Sequence, residues 1–419
     1  MKRRSLTARR TVLSLYTGAG GLDLGLEAAG FDVLLCIEAD ESCRATLRKN
    51  RPGWTLSEPG DVHEITAEDA LDQAGLHQGE LTLLAGGPPC QPFSKSGYWA
   101  WGDARRLKDP RSATLGRYLD LVEAALPRAL LLENVKGLVF NGKDEGLQFL
   151  QRRLNQINQK QGVSYEASVV SLNCADFGVP QLRERVFVVA ERDGGLLSEP
   201  KPTHRPAKDV RNGDVERYRT AWDVLGDLDS DTWPDHLNPC GKWADLLPSI
   251  PEGKNYLWHT PRLGGEPLFG WRTRFWSFLL KLAKNLPSWT IQAEPGPATG
   301  PFHWRNRRLS VRELCRLQTF PDDFQVQGDY RSQHRQIGNA VPPAIGEMLG
   351  REIRRQLLGE RMPCRALFVP GARDDCPPPE PTMPVPRKYW HLRGNHNDHP
   401  GTGLGPGAQR RAEPEAETR

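Results

Sequence analysis

Between residues 11 and 190, short runs of consecutive apolar residues alternate with stretches whose apolar positions recur every three or four residues. Residues 11–16, 33–37, 81–85, 129–132 and 185–190 read as strands buried on both faces, whereas 22–29, 42–49 and 115–126 carry apolar residues at helical spacing. Strand and helix repeated in this way predict an α/β fold built on an open parallel sheet covered on both faces. Ligands of such sheets sit beyond the carboxyl ends of the strands, which directs attention to the loops that follow these runs.

Beyond about residue 192 the periodicity fades. Prolines and glycines become dense there, and 8 of the 12 tryptophans lie between positions 222 and 304, as expected of an inserted region with its own small core. Helical spacing returns over 311–317 and again after Ile337, with 344–358 predicted as a helix. From about Asp374 the chain is Pro-rich and charged with few apolar residues, and disorder is expected. The predicted units are a basic arm over 1–10, a main unit over 11–193, a smaller unit over 194–329, a return to the main unit over 330–360 and an extension over 361–419.

Composition narrows the class without selecting a function. With 38% hydrophobic and 26% charged residues and no apolar run near bilayer length, the chain reads as a soluble cytoplasmic protein with no membrane partner. The apolar stretch after the basic arm is short and runs into glycines, so a secretory signal is not expected. A net charge of +4 is compatible with a polyanionic partner and does not require one. The 8 cysteines include no Cys-x-x-Cys pair, so most are expected to be reduced core residues. His391, His396 and His399 cluster in the tail without a structural frame, and no metal site is expected.

Chemistry concentrates at the ends of the apolar runs. The first ends in Tyr16-Thr17-Gly18-Ala19-Gly20-Gly21 before a helix, a turn whose glycines let backbone approach a ligand at a helix N-terminus. Glu38 closes the next strand, where a carboxylate can bond ribose hydroxyls. These features alone fit either a nucleoside cofactor or a glycine turn kept for packing. The third run ends in Gly86-Gly87-Pro88-Pro89-Cys90-Gln91-Pro92-Phe93-Ser94, a rigid frame around one thiol that a core cysteine does not need. The fourth ends in Glu133-Asn134-Val135, bringing a carboxyl to the same edge. A thiol and a carboxyl beside a nucleoside pocket point to nucleophilic attack on a ring, with an acid group serving that ring.

These strings resemble the signature motifs of the cytosine-C5 DNA methyltransferases, in particular the bacterial type II modification methylases. The likeness continues through Gln181-Leu182-Arg183-Glu184-Arg185, similar to the family's Gln-x-Arg-x-Arg motif, a late segment over 307–320, and Gln336-Ile337-Gly338-Asn339-Ala340-Val341-Pro342-Pro343. It spans about 11–358 in the family's usual order. The chain departs from the family at Ser14, where an Asp is common, at Tyr16 for a Phe, at Thr17 for a small residue and at Ala39 for a larger apolar one.

The resemblance implies a Rossmann-like S-adenosylmethionine-dependent methyltransferase sheet with a smaller inserted target-recognition domain, the main unit being catalytic and cofactor-binding. It implies that Tyr16, Thr17, Gly18, Gly20 and Gly21 hold the methionine and ribose of S-adenosylmethionine, Glu38 its ribose hydroxyls, and Asp61 with Val62 its adenine edge. Pro88, Asn339 and Val341 would complete that pocket. Cys90 would attack C6 of a flipped-out cytosine, Glu133 would meet its N3 edge, and Arg183 with Arg185 would support the activated ring. Gln91 and Ser94, in a loop that closes on DNA, and Arg272 and Arg274, in the variable region, would contact double-stranded DNA. Also in that region, Arg262, Lys281, Lys284 and Arg305 would offer positive charge beside Trp271, Phe275 and Trp276, although the tryptophans are expected mostly to pack a small core.

The expected protein is a monomer that pairs functionally, without a stable complex, with a restriction endonuclease. The same catalytic residues also fit an RNA methyltransferase acting on transfer RNA, or a catalytically silent DNA-binding regulator. A nicotinamide dehydrogenase would leave the cysteine loop unexplained.

Overall fold

The computed structural model describes residues 10–88, 113–134, 145–211, 213, 215–271, 275–361 and 366–394. The first apolar run is β1 (Thr11–Leu15), buried at every position because parallel neighbours flank it on both sides. In chain order there follow α1 (Gly21–Ala28), β2 (Asp32–Ile37), α2 (Glu41–Asn50), β3 (Thr55–Leu56), α3 (Ala67–Ala74) and β4 (Leu83–Gly86). Then come α4 (Ala113–Ala125), β5 (Ala129–Asn134), α5 (Glu145–Gln161), β6 (Glu166–Asn173), β7 (Gln181–Leu182) and β8 (Glu184–Glu191).

Seven of these strands form one sheet in the order β3-β2-β1-β4-β5-β8-β6. Its side chains alternate between two apolar layers, as a pleated strand requires. Val12 joins Leu24 and Leu26 of α1 on one face, while Leu13 and Leu15 join Leu119 of α4 and Leu154 of α5 on the other. The predicted strands and helices are all present, and α3, α5 and β6 join them. One expectation is corrected: β8 runs antiparallel to both β5 and β6. Only a short turn separates β6 from β7 and β8, and a parallel return would need a crossover of a dozen or more residues.

Past the small region, the chain re-enters the main layer earlier than residue 330. Trp304, Leu309, Leu314, Leu317 and Phe320 belong to the same buried cluster as β1 and α1. Ahead of the small region, α6 (Ala221–Leu225) is already in that cluster and meets α7 (Val311–Leu317) of the return, in which α8 (Tyr330–Asn339) leads to α9 (Pro343–Glu352). The last of these lies against α1 so closely that a Cβ on Gly25 would fall 2.3 Å from both Glu347 N and Pro343 O. The small region has its own core of Trp243, Tyr256, Phe269 and Phe278, in edge-to-face contacts.

The expectation of disorder from about residue 374 is overturned for the part described. After α9, the amides of Leu367 and Phe368 donate to the Glu347 carboxylate, and the chain then crosses to the small region. On the way Asp375 accepts from the indole of Trp222 in the main cluster, Glu380 pairs with the buried Lys284, and in the small region Tyr389 stacks on Trp243 with 2% exposure. Composition suggested otherwise because this segment packs through a few polar anchors and one aromatic ring rather than through an apolar stripe. Among the described residues, no helix is long and apolar enough to cross a membrane.

Truncating the ring anchor tests the strap. Tyr389→Ala is expected to cost about 3 kcal/mol of stability, the usual range for deleting a buried aromatic ring. Urea unfolding of the variant against the parent chain measures it, and an unchanged midpoint would mean that the segment is not docked.

Candidate active site

The turn after β1 is tightly wound. Tyr16, Gly18 and Gly20 all have positive φ, of 55°, 58° and 77°, so the only side chain forced into this region is that of Tyr16. Its phenol donates to Thr114 O at 2.8 Å, which ties the turn to the start of α4, and burial pushes that phenol well above its usual range. A side chain on Gly18 would meet nothing within 4 Å, so this part of the turn borders open space, as a ligand cradle must. Gly21 faces the other way, where a Cβ would fall 2.2 Å from Val341 O.

Glu38 closes the cradle at the end of β2. One carboxylate oxygen accepts from the Gly18 amide at 2.7 Å and the other from the Asp40 amide at 2.8 Å. Burial raises its pKa, with those two amides opposing the rise. Asp40 caps α2 and forms an ion pair with Arg335 of α8 at 2.5 Å, a link from the cradle's rim to the far end of the chain. Val62 is buried and Asp61 half-buried on the adjoining loop, whereas Asn339 is exposed beside the buried Val341. Pro88, the last described residue before the cysteine, is buried. The residues of the cradle therefore fit a nucleoside cofactor: a carboxylate at the end of β2 that already bonds the Gly18 amide, open space over Gly18, and the buried Val62 on the adjoining loop.

At the end of β5, Glu133 receives Arg185 of β8, with Nε 2.9 Å from Oε1 and both side chains about one-seventh exposed. The antiparallel pairing of β5 with β8 is what brings them together, since Glu133 lies opposite Phe187 and Arg185 precedes Phe187 by two residues on β8. A largely buried arginine beside a carboxylate can hold the carboxyl's orientation and add positive potential to the same edge.

Arg183, expected to share the work of Arg185, has a different position. It is fully buried, and its Nη2 donates to the carbonyls of Gly338 and Ala340 at 2.9 and 3.0 Å. Gln181 and Gln318 bond each other at 3.0 Å, and Gln318 donates to Ile337 O at 2.7 Å. Together these side chains hold the closing segment in place, a task the linear motif did not disclose because its partners are backbone carbonyls 155 or more residues away.

Cys90, Gln91 and Ser94, and likewise Arg272 and Arg274, lie outside the described residues. Of the other basic residues expected to face DNA, Lys284 is buried between Glu252 and Glu380, and Lys281 is 4% exposed. Carboxylates take Lys284, and burial lowers Lys281 to about 8. Arg305 pairs with Asp229 and Glu380. Trp243 packs the small region's core as expected, Trp222 and Trp304 are buried instead in the main layer's cluster, and Trp276 and Trp289 are 43% and 39% exposed. Sequence reasoning also passed over Asp23 and Arg335; the first lay inside an apolar helix pattern, and the second has no local signal.

The family profile of the C-5 cytosine-specific DNA methylases matches residues 10–355. The chain belongs to that family and is a DNA cytosine methyltransferase. Among its relatives is the type II methyltransferase M.SacI of Streptomyces achromogenes, 38% identical over 372 residues that cover 83% of this chain and 93% of the relative. Another is the type II methyltransferase M.NgoMIV of Neisseria gonorrhoeae, 33% identical over 364 residues that cover 84% and 99%. Of solved structures, the Entamoeba histolytica methyltransferase EhMeth superposes with a TM-score of 0.54 at 16% identity, over 83% of this chain and 99% of that one. That likeness concerns the fold alone.

Arg185→Ala is expected to lower kcat by about 10²-fold, the usual loss for one electrostatic donor at a reacting centre, with cofactor affinity little changed. Arg183→Ala should instead lower thermal stability and cofactor affinity together, because it releases the closing segment. Single-turnover rates and calorimetric binding of S-adenosylhomocysteine separate the two patterns; identical behaviour would refute the division of labour.

Proposed function

We propose that this chain methylates C5 of one cytosine in a specific duplex DNA sequence, using S-adenosylmethionine and a covalent bond from Cys90 to C6. The observation that carries the reading is the Glu133–Arg185 pair, held at the same sheet edge as the glycine cradle and one strand from the end of β4, which leads to Cys90. Bound in the cradle, S-adenosylmethionine would supply an electrophilic methyl group.

Cytosine C5 is a poor nucleophile, and the thiolate of Cys90 overcomes this by bonding to C6 and moving ring electrons to C5. Glu133 presents its carboxyl to the N3 edge and offsets the charge that builds up there, with Arg185 fixing its orientation. Once C5 has taken the methyl group, loss of the C5 proton and departure of the Cys90 thiolate restore the ring. Tyr16 to Gly21 and Glu38 hold the cofactor, with Asp61, Val62, Pro88, Asn339 and Val341 around it. Inside a duplex the base is out of reach, so it must be flipped out, and Gln91 and Ser94 belong to the loop that would close over it.

The named type II relatives support a modification role that protects host DNA from a partner endonuclease, and they favour DNA over transfer RNA as substrate. Target choice is assigned to the small region, where Arg272 and Arg274 lie, since each bidentate arginine–guanine contact is worth about 1 to 3 kcal/mol of discrimination.

DNA carrying 5-fluorocytosine at the target should trap the enzyme, because fluorine cannot leave as a proton; the readout is a denaturation-resistant adduct that Cys90→Ser abolishes. An active Cys90→Ser enzyme would remove the covalent mechanism. Exchange of residues 194–303 for the matching segment of a related methylase should transfer the donor's target sequence, read by bisulfite sequencing. A chimera that still modified the original site would place recognition elsewhere.

A further inference from the structure

A cavity of about 460 Å³ opens where the small region meets the main layer, a volume in the range of ligand pockets. Phe302 of the small core lines one part of it and Leu309 of the main cluster another. Ala293 belongs to the same lining and is packed so closely that a Cβ on Gly338 would fall 2.6 Å from its Cα. Gly338 is the residue whose carbonyl Arg183 holds, so the cavity backs onto the segment that closes the cofactor cradle. The chain that leads into it also touches the motif of Arg185: Trp289 pairs with Leu182 of β7, and the Thr290 hydroxyl donates to Leu182 O at 2.7 Å.

The polar part of the lining is that of an anion site. Arg308 and Arg331 stand in it with the Thr299 hydroxyl and the His334 ring. The arginines around them are taken, Arg307 by Glu313, Arg312 and Arg316 by Asp322, and Arg335 by Asp40. Among the described residues no carboxylate lies within ion-pair distance of Arg308 or Arg331, and Nη2 of Arg308 donates to the Cys240 sulfur at 2.6 Å. Glu294, the one carboxylate of the lining, is exposed and pairs with neither. Burial holds His334 down at about 4, which leaves it a neutral ring and the positive charge to the two guanidiniums. A guanidinium presents a planar fork of donors that matches a phosphate, and this chain's substrate is a polymer of phosphodiesters. We propose that the cavity is a phosphate site for the DNA substrate, in which Arg308 and Arg331 hold one backbone phosphodiester.

The site supplies charge that other residues of the region have spent elsewhere. Lys284 and Arg305 are held by carboxylates and Lys281 is buried, so none of the three can meet a phosphate as they stand. Phosphate contacts fix the register of a duplex and carry no sequence information. One made beside Gly338 would seat the DNA on the same segment that Arg183 anchors behind the cofactor cradle.

This inference rests on duplex DNA being the substrate, and the parent chain tests that first, by fluorescence anisotropy on target and non-target duplexes over a range of salt. Arg308→Gln/Arg331→Gln is then expected to weaken binding to both duplexes about tenfold and to lower the slope of log affinity against log salt by about 0.9, the counterions released by one phosphate. Glu294→Gln should act in the opposite direction and tighten both about twofold, since it removes a like charge from beside the bound phosphate. Arg331→Gln changes an exposed position of α8 and keeps the test open if the double variant folds poorly. Its melting temperature and its affinity for S-adenosylhomocysteine should match the parent's, while both duplexes bind about threefold more weakly. A parent-like salt slope in the double variant, parent-like affinity for DNA in Arg331→Gln, or a loss confined to the target sequence would overturn the proposal, the last because it would put the arginines on base edges. A parent chain that binds neither duplex would instead overturn the reading of duplex DNA as substrate.

Discussion

Arg183 gives its guanidinium to the carbonyls of Gly338 and Ala340, and the site depends on this bond. Those carbonyls belong to a segment from near the end of the family-matched region, whereas the cradle they adjoin was built by the first thirty or so residues. Burying an arginine is expensive, and it is tolerated because backbone carbonyls and the Gln181–Gln318 pair surround it. With the closing segment held in this way, Val341 can lie against Gly21 and α9 against α1. The contact leaves no room for a Cβ on either glycine, so the position of one end of the chain is transmitted to the other at backbone precision.

The sheet supplies a second constraint of the same kind. An all-parallel sheet would not have set Arg185 beside Glu133. Because β8 reverses direction next to β5, a motif read after residue 180 falls opposite one read near residue 133, and a salt bridge of 2.9 Å forms between mostly buried side chains. The two arginines of one short motif thereby diverge: one faces the reacting edge and the other the packed interior. Two residues that far apart on one regular strand would share a face; Arg183 falls in the break between β7 and β8, where the alternation is interrupted.

Polar groups with long-range partners also explain the tail. Glu380, Asp375 and the Glu347 carboxylate are each exposed-looking residues in sequence. Each binds a donor in another part of the molecule: Glu380 the buried Lys284, Asp375 the Trp222 indole, and the buried Glu347 the amides of Leu367 and Phe368. The segment therefore braces the small region against the main layer.

What the sequence by itself determined was local. Apolar runs of strand length and helical spacing located nearly all the elements of the main layer, because burial of a strand or a helix face leaves a periodic trace within a few residues. Motif order identified the family and singled out Glu38, Glu133 and Cys90, since the turns and strand ends that present such groups are short and continuous. Tertiary structure alone decided the direction of β8, the early return at Trp304, the separation of Arg183 from Arg185, the burial of Lys284 and the docking of the tail. In each of these, a polar group or a strand edge finds its partner tens to hundreds of residues away. No periodicity within the chain records such a pairing; it follows only when the folded backbone brings donor, acceptor and charge to the same few ångströms.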